Sequence, residues 1–526
     1  MPERTSNLNR WIWGGILCLF FVIYGILVAT PINDNDFFWH LTTGRWIWEH
    51  KVIPSEDPLN FTTPRDAGQT YLKTRFRLQQ YWLGQLLIYG VYRIGEYYGI
   101  VLFRSVLFLL TIFFLYYWLT KMGTKSHAVL LLLVPAAFVL GEFVGERPNQ
   151  ISFFMAVITL YLVEETRRLS RKAFFLPVVM FIWANAHGGF ILGAVTIVLY
   201  LASETAIKFN LKYAKKQYDG YQYILLVYSL SLFAGFLNPQ GYNAIPVMLE
   251  ANPLHYQPIS ESQSPFELAR TANIDLYSGF FVFYLVASIV YAALTVRRRQ
   301  TDLAHLALLS FLLLLSSQEI RYLPFLGLLA TPILAGSLTG PAARLFARLE
   351  RFGIPQVFFC LLFLASFSLE YKNTILKQPV LSDNFPVRAV DFLKEELIEG
   401  KIFNFVDYGG YLDWRFYPEK RTFIDGRNLV NSVFVSHDNV IRGLSGWDAV
   451  LESYDVRHII IPAVMRNGGM PGLIPELYLD DRWKLVYGDS SGLLFSIDER
   501  MEGRPKSLMF AYVITAADKQ AGSDNP

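Results

Sequence analysis

Long apolar runs separated by short polar segments occupy most of the first 372 residues of the chain. A helix needs about 20 largely apolar residues to cross a bilayer, and about eleven runs approach that length. The runs lie near residues 11–30, 99–119, 126–143, 148–163, 173–187, 188–206, 221–237, 278–296, 302–317, 320–338 and 355–371. The pattern predicts a polytopic α-helical membrane protein with about 11 spans.

After the last run the pattern changes to short helical and strand segments. "VRAVDFLKEEL" and "WDAVLESY" predict helices, "KIFNFV", "RTFID" and "RHIIIP" predict strands, and "WKLVYGD" with "GLLFSID" predicts a closing hairpin. We therefore expect a transmembrane domain over residues 1–372, a small C-terminal α/β domain over 373–500, and a partly disordered polar tail over 501–526.

The loop at residues 31–98 belongs to the predicted transmembrane domain but is itself too long for a simple turn. Its segment "YWLGQLLIYGVYRIGEYYG" has helical periodicity interrupted by glycines. A helix lying on the membrane surface is the preferred interpretation, because a span here would disturb the charge pattern downstream.

Composition supports the membrane assignment. Of the 526 residues, 53% are hydrophobic and 17% are charged, whereas about 25% charged residues is usual in soluble domains. The net charge of +3 gives no argument for nucleic-acid binding. Both cysteines, Cys18 and Cys360, fall in apolar runs, which excludes a disulfide framework and a thiolate metal cluster. The first run lacks a small-residue cleavage site, so we expect a retained span.

The basic residues give an orientation. With the N-terminus in the cytoplasm, the clusters near residues 167–172, 208–216, 297–299 and 344–351 all fall on the cytoplasmic side, and the short outer loops hold only Arg147 and Arg321. This arrangement places residues 31–98, residues 238–277 and the C-terminal domain on the outer face.

The same topology collects polar side chains at the outer ends of several predicted helices. They are Asp34, Asp36, His40, Glu142, Glu146, Arg147, His187, Asn238, Glu319 and Arg321. Ionisable groups at the membrane boundary are costly unless they pair or line a wet cavity. Their common depth therefore predicts a polar cavity on the outer face.

Each of these residues also has a structural interpretation. The two aspartates could form a solvated turn that caps the following helix. Glu146 and Arg147 could be a self-satisfied pair, and His187 could cap a helix end. Arg104, near the outer end of the second span, could snorkel to the interface or contact a lipid phosphate.

The arrangement resembles the GT-C superfamily of integral membrane glycosyltransferases, in particular a group of bacterial members. The resemblance rests on the topology and on the blocks "DNDFFWHLTTG", "ERPNQISF", "WANAHGGFILG", "LNPQGY" and "FNFVDYGGYLDWRFYPEKRTFIDGR". The chain departs from the oligosaccharyltransferases of that superfamily because it lacks a WWDYG-type block in its C-terminal domain. Recognition of a peptide acceptor therefore does not carry over.

The resemblance implies transfer of a sugar from a polyprenyl-phosphate donor to a protein, lipid or glycan acceptor on the periplasmic side of a bacterial cytoplasmic membrane. Asp36, or else Asp34, would be the general base, because a carboxylate in a dry cavity can accept the proton of an acceptor hydroxyl. Glu142 or Glu146 would be the second acidic element. A divalent cation, Mg²⁺ or Mn²⁺, is compatible with Asp34, Asp36 and Glu146 as oxygen ligands.

Two further groups of candidate residues follow from this assignment. The candidates for the donor phosphate, because cations neutralise a leaving phosphate, are Arg147, Arg321, Arg104 and His187. The candidates for contact with the acceptor are His40, Tyr411, Asp425 and Arg427. For the last two, a turn built on Asp425 and Gly426 is the structural alternative.

Three other functions stay open at this stage. A transporter or flippase for lipid-linked saccharides would also need arginines in a polar cavity, although internal repeats typical of transporters are not evident. A polymerase or ligase of lipid-linked saccharides would rely on arginines and histidine more than on an acidic pair. A noncatalytic assembly protein would use the C-terminal domain for binding.

Overall fold

The computed structural model describes residues 2–65, 67–209, 220–249, 260–271, 276–336, 357–358, 379–380, 384–396, 399–465 and 468–523. The chain divides into two units. The helical unit consists of Met1–Pro31 and Tyr98–Pro379, and the mixed unit consists of Ile32–Tyr97 and Val380–Pro526. Most of the predicted outer loop thus falls in the same compact unit as the predicted C-terminal domain.

The predicted apolar runs form the helices of the helical unit. These helices are α1 (Pro2–Leu27), α5 (Trp82–Lys121), α6 (Ser126–Gly141), α7 (Asn149–Arg167), α8 (Phe175–Ala186), α9 (Phe190–Phe209), α10 (Tyr221–Gly235), α11 (Ala244–Leu249), α12 (Pro265–Thr271), α13 (Leu276–Arg297), α14 (Leu303–Gln318) and α15 (Leu323–Ala335). Helix α5 begins in the mixed unit and breaks at Glu96, whose φ is 50°. The predicted run 355–371 lies outside the described residues apart from 357–358.

Three described helical segments are long and apolar enough to cross a membrane, namely Leu72–Lys121, Phe190–Phe209 and Leu276–Arg297. Shorter apolar helices include Trp11–Leu27, Ala128–Gly141, Tyr221–Gly235, Leu303–Gln318 and Ile320–Ala335. The helical character predicted from the sequence is confirmed, whereas the count of about 11 spans and the orientation stay predictions.

A partly buried charge cluster ties three of these helices together. Arg167 at the end of α7 bonds Glu204 of α9 through Nε at 2.7 Å and Asp302 before α14 through Nη1 at 2.7 Å. His305 of α14 shares a 2.8 Å hydrogen bond with Glu164 of α7. Because each charge has a partner of opposite sign, the cluster can lie within the helix bundle.

The mixed unit is built on a four-stranded sheet with the order β1-β2-β4-β3. The strands are β1 (Lys401–Asn404), β2 (Val456–Ile461), β3 (Lys484–Gly488) and β4 (Leu493–Ser496). Strands β1 and β2 are parallel, and the other two pairings are antiparallel. A parallel pair needs a long crossover, which the helices between Asn404 and Val456 supply.

The mixed unit also contains nine described helices. They are α2 (Phe37–His50), α3 (Ala67–Thr70), α4 (Leu72–Gln79), α16 (Val387–Glu395), α17 (Val406–Phe416), α18 (Asn431–Ile441), α19 (Trp447–Ser453), α20 (Leu473–Leu479) and α21 (Leu508–Ser523). The core includes Phe403, Ile459 and Phe495, which are fully buried. Each such side chain contributes about 1.5–3 kcal/mol through removal from water.

Two sequence predictions for this unit differ from the structure. The predicted strand "RTFID" is an extended segment whose only described bridge pairs Thr422 with Asn60. The tail predicted as partly disordered contains helix α21, in which Met509, Tyr512 and Ala516 pack on the core at helical spacing. The polar composition at the end of the tail hid this apolar face.

Candidate functional site

The two aspartates that follow the first run have different roles in the local structure. Asp34 accepts the backbone N–H of Asp36 through Oδ1 at 3.0 Å, and its carbonyl accepts the N–H of Phe37 at 3.1 Å. Asp34 therefore closes the turn that starts α2, which is the capping role considered as the alternative. Asp36 occupies the N-cap position of α2 but makes no side-chain cap bond.

The Asp36 carboxylate is instead held by the indole ring of Trp39 and by the turn that contains Gly426. The indole Nε1 of Trp39 donates a 3.0 Å hydrogen bond to Oδ1. The same oxygen lies against the Cα of Gly426, where a side chain of any size would overlap it. The carboxylate is half-buried, so one oxygen is fixed while the group keeps some access to solvent.

Helix α17 approaches the start of α2 closely through a glycine. A Cβ on Gly410 would lie 2.9 Å from the carbonyl oxygen of Asn35 and 3.1 Å from the nitrogen of Trp39. Only a residue without a Cβ allows this close approach. The close approach of α17 to α2 places the turn that contains Gly426 beside Asp36. These two residues are nearly 400 positions apart in the sequence.

The segment at residues 422–427 is fixed by backbone and side-chain bonds. Thr422 exchanges 3.0 Å backbone bonds with Leu59 and Phe61. Asn404, at the end of β1, accepts the N–H of Phe423 at 2.9 Å and donates to the carbonyl of Ile424 at 2.7 Å. The segment is therefore held on two sides, from the loop after α2 and from the sheet.

Arg427 and its carboxylate partners form a buried charge network. Arg427 contacts Asp425 through Nε at 2.9 Å and Asp57 through Nη2 at 2.9 Å, and all three side chains are almost fully buried. Burial opposes ionisation of Asp425, but Arg427 and its hydrogen bonds hold the pKa of that carboxyl below its usual value. The predicted acceptor contacts Asp425 and Arg427 therefore lie in the interior, which favours the turn alternative.

Asp413 is a third buried carboxyl group beside this network. Its Oδ1 accepts the Thr422 hydroxyl at 2.7 Å. Burial, followed by repulsion from the Asp425 carboxylate, raises the pKa of Asp413 well above its usual value. The raised pKa favours the protonated form of Asp413, which reduces the repulsion between the Asp413 and Asp425 carboxyl groups.

Arg77 is a cation near Asp36 that the sequence patterns did not single out. Its Nη1 donates to the carbonyl of Asn428 at 2.6 Å and to the carbonyl of Arg427. Burial lowers the pKa of Arg77, and the charges of Asp36 and Asp425 act against that shift. The guanidinium thus lies within electrostatic range of the candidate base and fixes the turn that supports it.

His40 and Tyr411, the other predicted acceptor contacts, are both buried. His40 stacks on Trp39 with 3.5 Å between ring centroids, and its Nδ1 lies 3.2 Å from Nε2 of Gln85. The Tyr411 hydroxyl accepts a 2.6 Å hydrogen bond from Arg415. Both residues support the packing around the start of α2, and their role toward an acceptor stays a prediction.

In the helical unit, Arg104 and Glu146 form a buried ion pair. The Arg104 guanidinium bonds Glu146 and also donates to the carbonyl oxygens of Val28, at 3.1 Å, and Thr30. Both side chains are 1% exposed, so neither is open to a lipid phosphate in this conformation. Arg104 instead ties α5 to the end of α1 and neutralises the second acidic element.

Arg147 and His187 form a more accessible pair. Nδ1 of His187 accepts the backbone N–H of Gly189 at 3.0 Å and lies 2.7 Å from the Ser152 hydroxyl. The Ser152 hydroxyl in turn accepts the indole N–H of Trp183. This network assigns the ring proton to Nε2, leaving a donor nitrogen. Arg147 acts electrostatically on His187 and bonds Glu261 at 2.8 Å with partial exposure.

The remaining predicted residues occupy helix ends of the helical unit. Arg321 is half-exposed and forms an ion pair with Glu319. The backbone N–H of Ile320 donates to Gln263 at 3.0 Å, which links this turn to the Ser260–Ser262 segment that also bears the partner of Arg147. Glu142 follows α6 as an exposed C-cap, and Asn238 closes a turn by accepting two backbone N–H groups.

The predicted metal ligands do not assemble within the part of the chain that the structure describes. There, no group of three or more His, Cys, Asp or Glu side chains lies where it could hold a metal ion. Glu146 is already neutralised by Arg104, and one oxygen of Asp36 is bonded to Trp39. The Arg104 pairing of Glu146 and the Trp39 bond of Asp36 both compete with coordination of a divalent cation.

Trp39, Arg77, Ser152 and Gly426 are the contributors that the sequence patterns missed. The sequence pattern assigns Gly426 only to a turn and assigns no role to Trp39. The basic residues near Arg77 in the loop at 31–98 were a usable signal, because they are exceptions to the charge distribution of the short outer loops.

Solved oligosaccharyltransferases share the fold. The archaeal oligosaccharyltransferase AglB from Archaeoglobus fulgidus, in complex with an inhibitory peptide and a dolichol-phosphate, matches with a TM-score of 0.55 and 11% identity over 95% of this chain and 77% of that chain. An Archaeoglobus fulgidus oligosaccharyltransferase in complex with zinc and sulfate matches with a TM-score of 0.50 and 12% identity over 90% and 72%. No family model and no curated protein sequence matches this chain. The resemblance predicted from the sequence is thus confirmed as a fold shared with solved oligosaccharyltransferases.

Proposed function

We propose that the protein is a membrane glycosyltransferase that moves a sugar from a polyprenyl-phosphate donor to an acceptor hydroxyl on the periplasmic side of a bacterial cytoplasmic membrane. The observation that carries the proposal is the restrained carboxylate of Asp36 at the start of α2. The fold shared with membrane oligosaccharyltransferases supports the reaction class. The dolichol-phosphate bound to AglB supports a lipid-linked donor.

Asp36 is the general base in this proposal. The acceptor oxygen attacks the anomeric carbon of the sugar while its proton passes to Asp36, and the bond from that carbon to the phosphate oxygen breaks. The products are a glycoside and the polyprenyl phosphate, which carries away the bonding electrons as negative charge. The base must be held in place, and the bond from Trp39 and the contact with Gly426 both restrict Asp36.

The local bonds distinguish the two aspartates. Asp34 uses its carboxylate to cap the turn through the N–H of Asp36, so its replacement perturbs the start of α2. Asp36 makes no cap bond to the helix, so its carboxylate serves another purpose. We therefore assign the base to Asp36 and a positioning role to Asp34.

We assign the donor phosphate to Arg147 and His187. The guanidinium of Arg147 is partly exposed, and Nε2 of His187 carries a proton that a phosphate oxygen can accept. Arg321 is an additional candidate because its guanidinium is half-exposed. Arg104 is a weaker candidate, since its charge is consumed by Glu146 in the interior.

A hydroxyl acceptor is favoured over the peptide class seen with AglB. The AglB structure holds an inhibitory peptide. The C-terminal domain of this chain lacks the WWDYG-type block, so the resemblance does not extend to recognition of a peptide. The acceptor candidates Asp425 and Arg427 are buried and bonded to each other. They frame the turn beside Asp36.

The test is transfer of sugar by the purified full-length chain in proteoliposomes that contain polyprenyl-phosphate sugars. We expect Asp36→Asn to abolish transfer while donor binding persists, because the amide cannot accept the proton. Asp34→Asn should retain transfer at a reduced rate, since its carbonyl oxygen can still accept the N–H of Asp36. Transfer that survives in Asp36→Asn would contradict the assignment, and flipping of the donor without transfer by the wild type would indicate a transporter.

A further inference from the structure

Two lysines converge on one tyrosine at neighbouring helix ends of the helical unit. Lys121 is the last residue of α5, and Lys172 lies in the 3₁₀ turn Arg171–Phe174 that precedes α8. Their ammonium groups donate to the hydroxyl of Tyr161 at 3.4 and 3.3 Å. Each ammonium also lies within 6 Å of the Tyr161 ring centroid, at 5.8 and 5.9 Å.

This arrangement brings two positive charges to one neutral oxygen. Across the described residues neither lysine has a carboxylate within ion-pair distance, and both are exposed. The nearest acidic group that acts on Lys172 is Glu165, which is paired with Arg168 at 3.0 Å. Two like charges held close together are unfavourable unless an anion lies between them.

A buried indole lies beside the same tyrosine. Trp118, one turn before Lys121 on α5, packs edge-on against Tyr161 with 5.3 Å between centroids. Its Nε1 is buried and has no hydrogen-bond partner among the described residues. A cluster with two cations, a hydroxyl and an unpaired N–H is rich in donors, which is the composition of an anion site.

The surroundings indicate an amphipathic anion. Phe174 and Phe175, two and three residues after Lys172, are 51% and 64% exposed. Helix α5 belongs to a segment long and apolar enough to cross a membrane, so we expect Lys121 at its end to lie at headgroup depth. Exposed aromatic side chains next to lysines fit the boundary between phosphate groups and acyl chains.

We propose that Lys121 and Lys172 bind the phosphate of an anionic membrane phospholipid. The phosphodiester oxygens would accept from both ammonium groups, and Phe174 and Phe175 would contact the start of the acyl chains. The charge pattern of the sequence predicts the cytoplasmic leaflet for this end of α5. A basic residue near a charged membrane surface strengthens binding about five-fold, so the pair should give a preference of about 25-fold for anionic over zwitterionic lipid.

The test measures lipid binding to the full-length chain in phosphatidylcholine nanodiscs, with fluorescent phosphatidylglycerol as the probe and fluorescent phosphatidylcholine as the reference. We expect Lys121→Ala and Lys172→Ala each to weaken phosphatidylglycerol binding about five-fold, and the double variant about 25-fold. Lys172→Arg should bind within about two-fold of the wild type, because it retains the charge. The matched control is Arg297→Ala, which removes an exposed cation from the end of α13 and should change binding by less than about two-fold.

The outcomes separate this site from a general surface charge. Equal losses in Lys172→Ala and Arg297→Ala would overturn the proposal, as would equal affinity for phosphatidylglycerol and phosphatidylcholine. Millimolar inorganic phosphate should compete much less well than unlabelled phosphatidylglycerol. If the two compete equally, the site binds a soluble phosphate compound, and the lipid proposal is overturned. Thermal unfolding of each variant confirms that a loss of binding does not come from a loss of fold.

Discussion

Replacement of Gly426 with alanine perturbs the position of Asp36 without touching its chemistry. A Cβ at residue 426 would overlap Oδ1 of Asp36 and lie 3.2 Å from its Cγ and 3.7 Å from Nε1 of Trp39. Gly426 is exposed, and its φ is outside the left-handed region. The backbone therefore accepts alanine, and the strain falls on the carboxylate.

The size of the effect follows from the contact. A carbon and an oxygen need about 3.3 Å of separation, so the carboxylate must move on the order of 1 Å and lose its bond from Trp39. A misplacement of about 1 Å at a reacting group lowers the rate about 100-fold. The lost hydrogen bond costs about 1 kcal/mol of stability. Alanine also restricts the backbone of the unfolded chain more than glycine does, which restores about 0.4–1 kcal/mol of stability. We therefore expect turnover to fall about 100-fold while the free energy of unfolding hardly changes.

The assay is sugar transfer in proteoliposomes, with thermal unfolding measured on the same samples. Gly90→Ala is the matched control, because a Cβ at that position of the same unit meets no atom within 4 Å. Trp39→Phe removes the bond to Asp36 without the overlap and should lower turnover about five-fold. Wild-type turnover in a folded Gly426→Ala protein would refute the positioning role of this turn, while an inactive Asp36→Asn protein in the same series would leave the proposed reaction intact.

Three predictions concern the stability of the mixed unit in the full-length chain, followed by thermal or denaturant unfolding. Arg427→Met should cost about 4 kcal/mol, because Asp425 and Asp57 then remain buried without a counter-charge, and a loss below about 1 kcal/mol would contradict a buried ion network. Asp413→Asn should gain stability relative to the wild type as the pH rises above about 4, because the raised pKa favours the protonated carboxyl in the native state while the unfolded one ionises. A stability difference that does not change with pH would contradict the raised pKa. Burial lowers the pKa of His437 to about 4. The free energy of unfolding of the wild type should therefore fall by about 3 kcal/mol between pH 7 and 4, because the unfolded imidazole takes up a proton at a higher pH than the native one. His437→Gln should lack this contribution to the pH dependence of stability.

The sequence predicted the elements of the helical unit because each buried face leaves a local periodic signal. Each predicted apolar run on described residues became a helix, and the boundaries of α6, α10 and α13 agree with the predicted runs to within a few residues. The α/β alternation after residue 380 was also readable, including the β3–β4 hairpin. Helix α21 was missed because composition at the end of the chain outweighed its apolar spacing.

The acidic element after the first run was visible in the sequence, but the difference between its two aspartates was not. Asp34 and Asp36 have the same chemistry and lie two residues apart. Their roles separate only when the turn forms, since the N–H of Asp36 selects Asp34 as its acceptor. Pattern and residue type therefore nominate a pair, and the hydrogen bonds choose between its members.

The sequence by itself determined that the chain is a membrane protein with many apolar helices and a C-terminal α/β domain, since hydrophobic periodicity is a local property. Only the tertiary structure decided that Gly426 and Arg77 belong beside Asp36, and that Asp425 and Arg427 lie in the interior. These pairings join residues hundreds of positions apart, and they depend on the close approach of α17 to α2 at Gly410. Burial and distance arise from packing, and no local pattern encodes them.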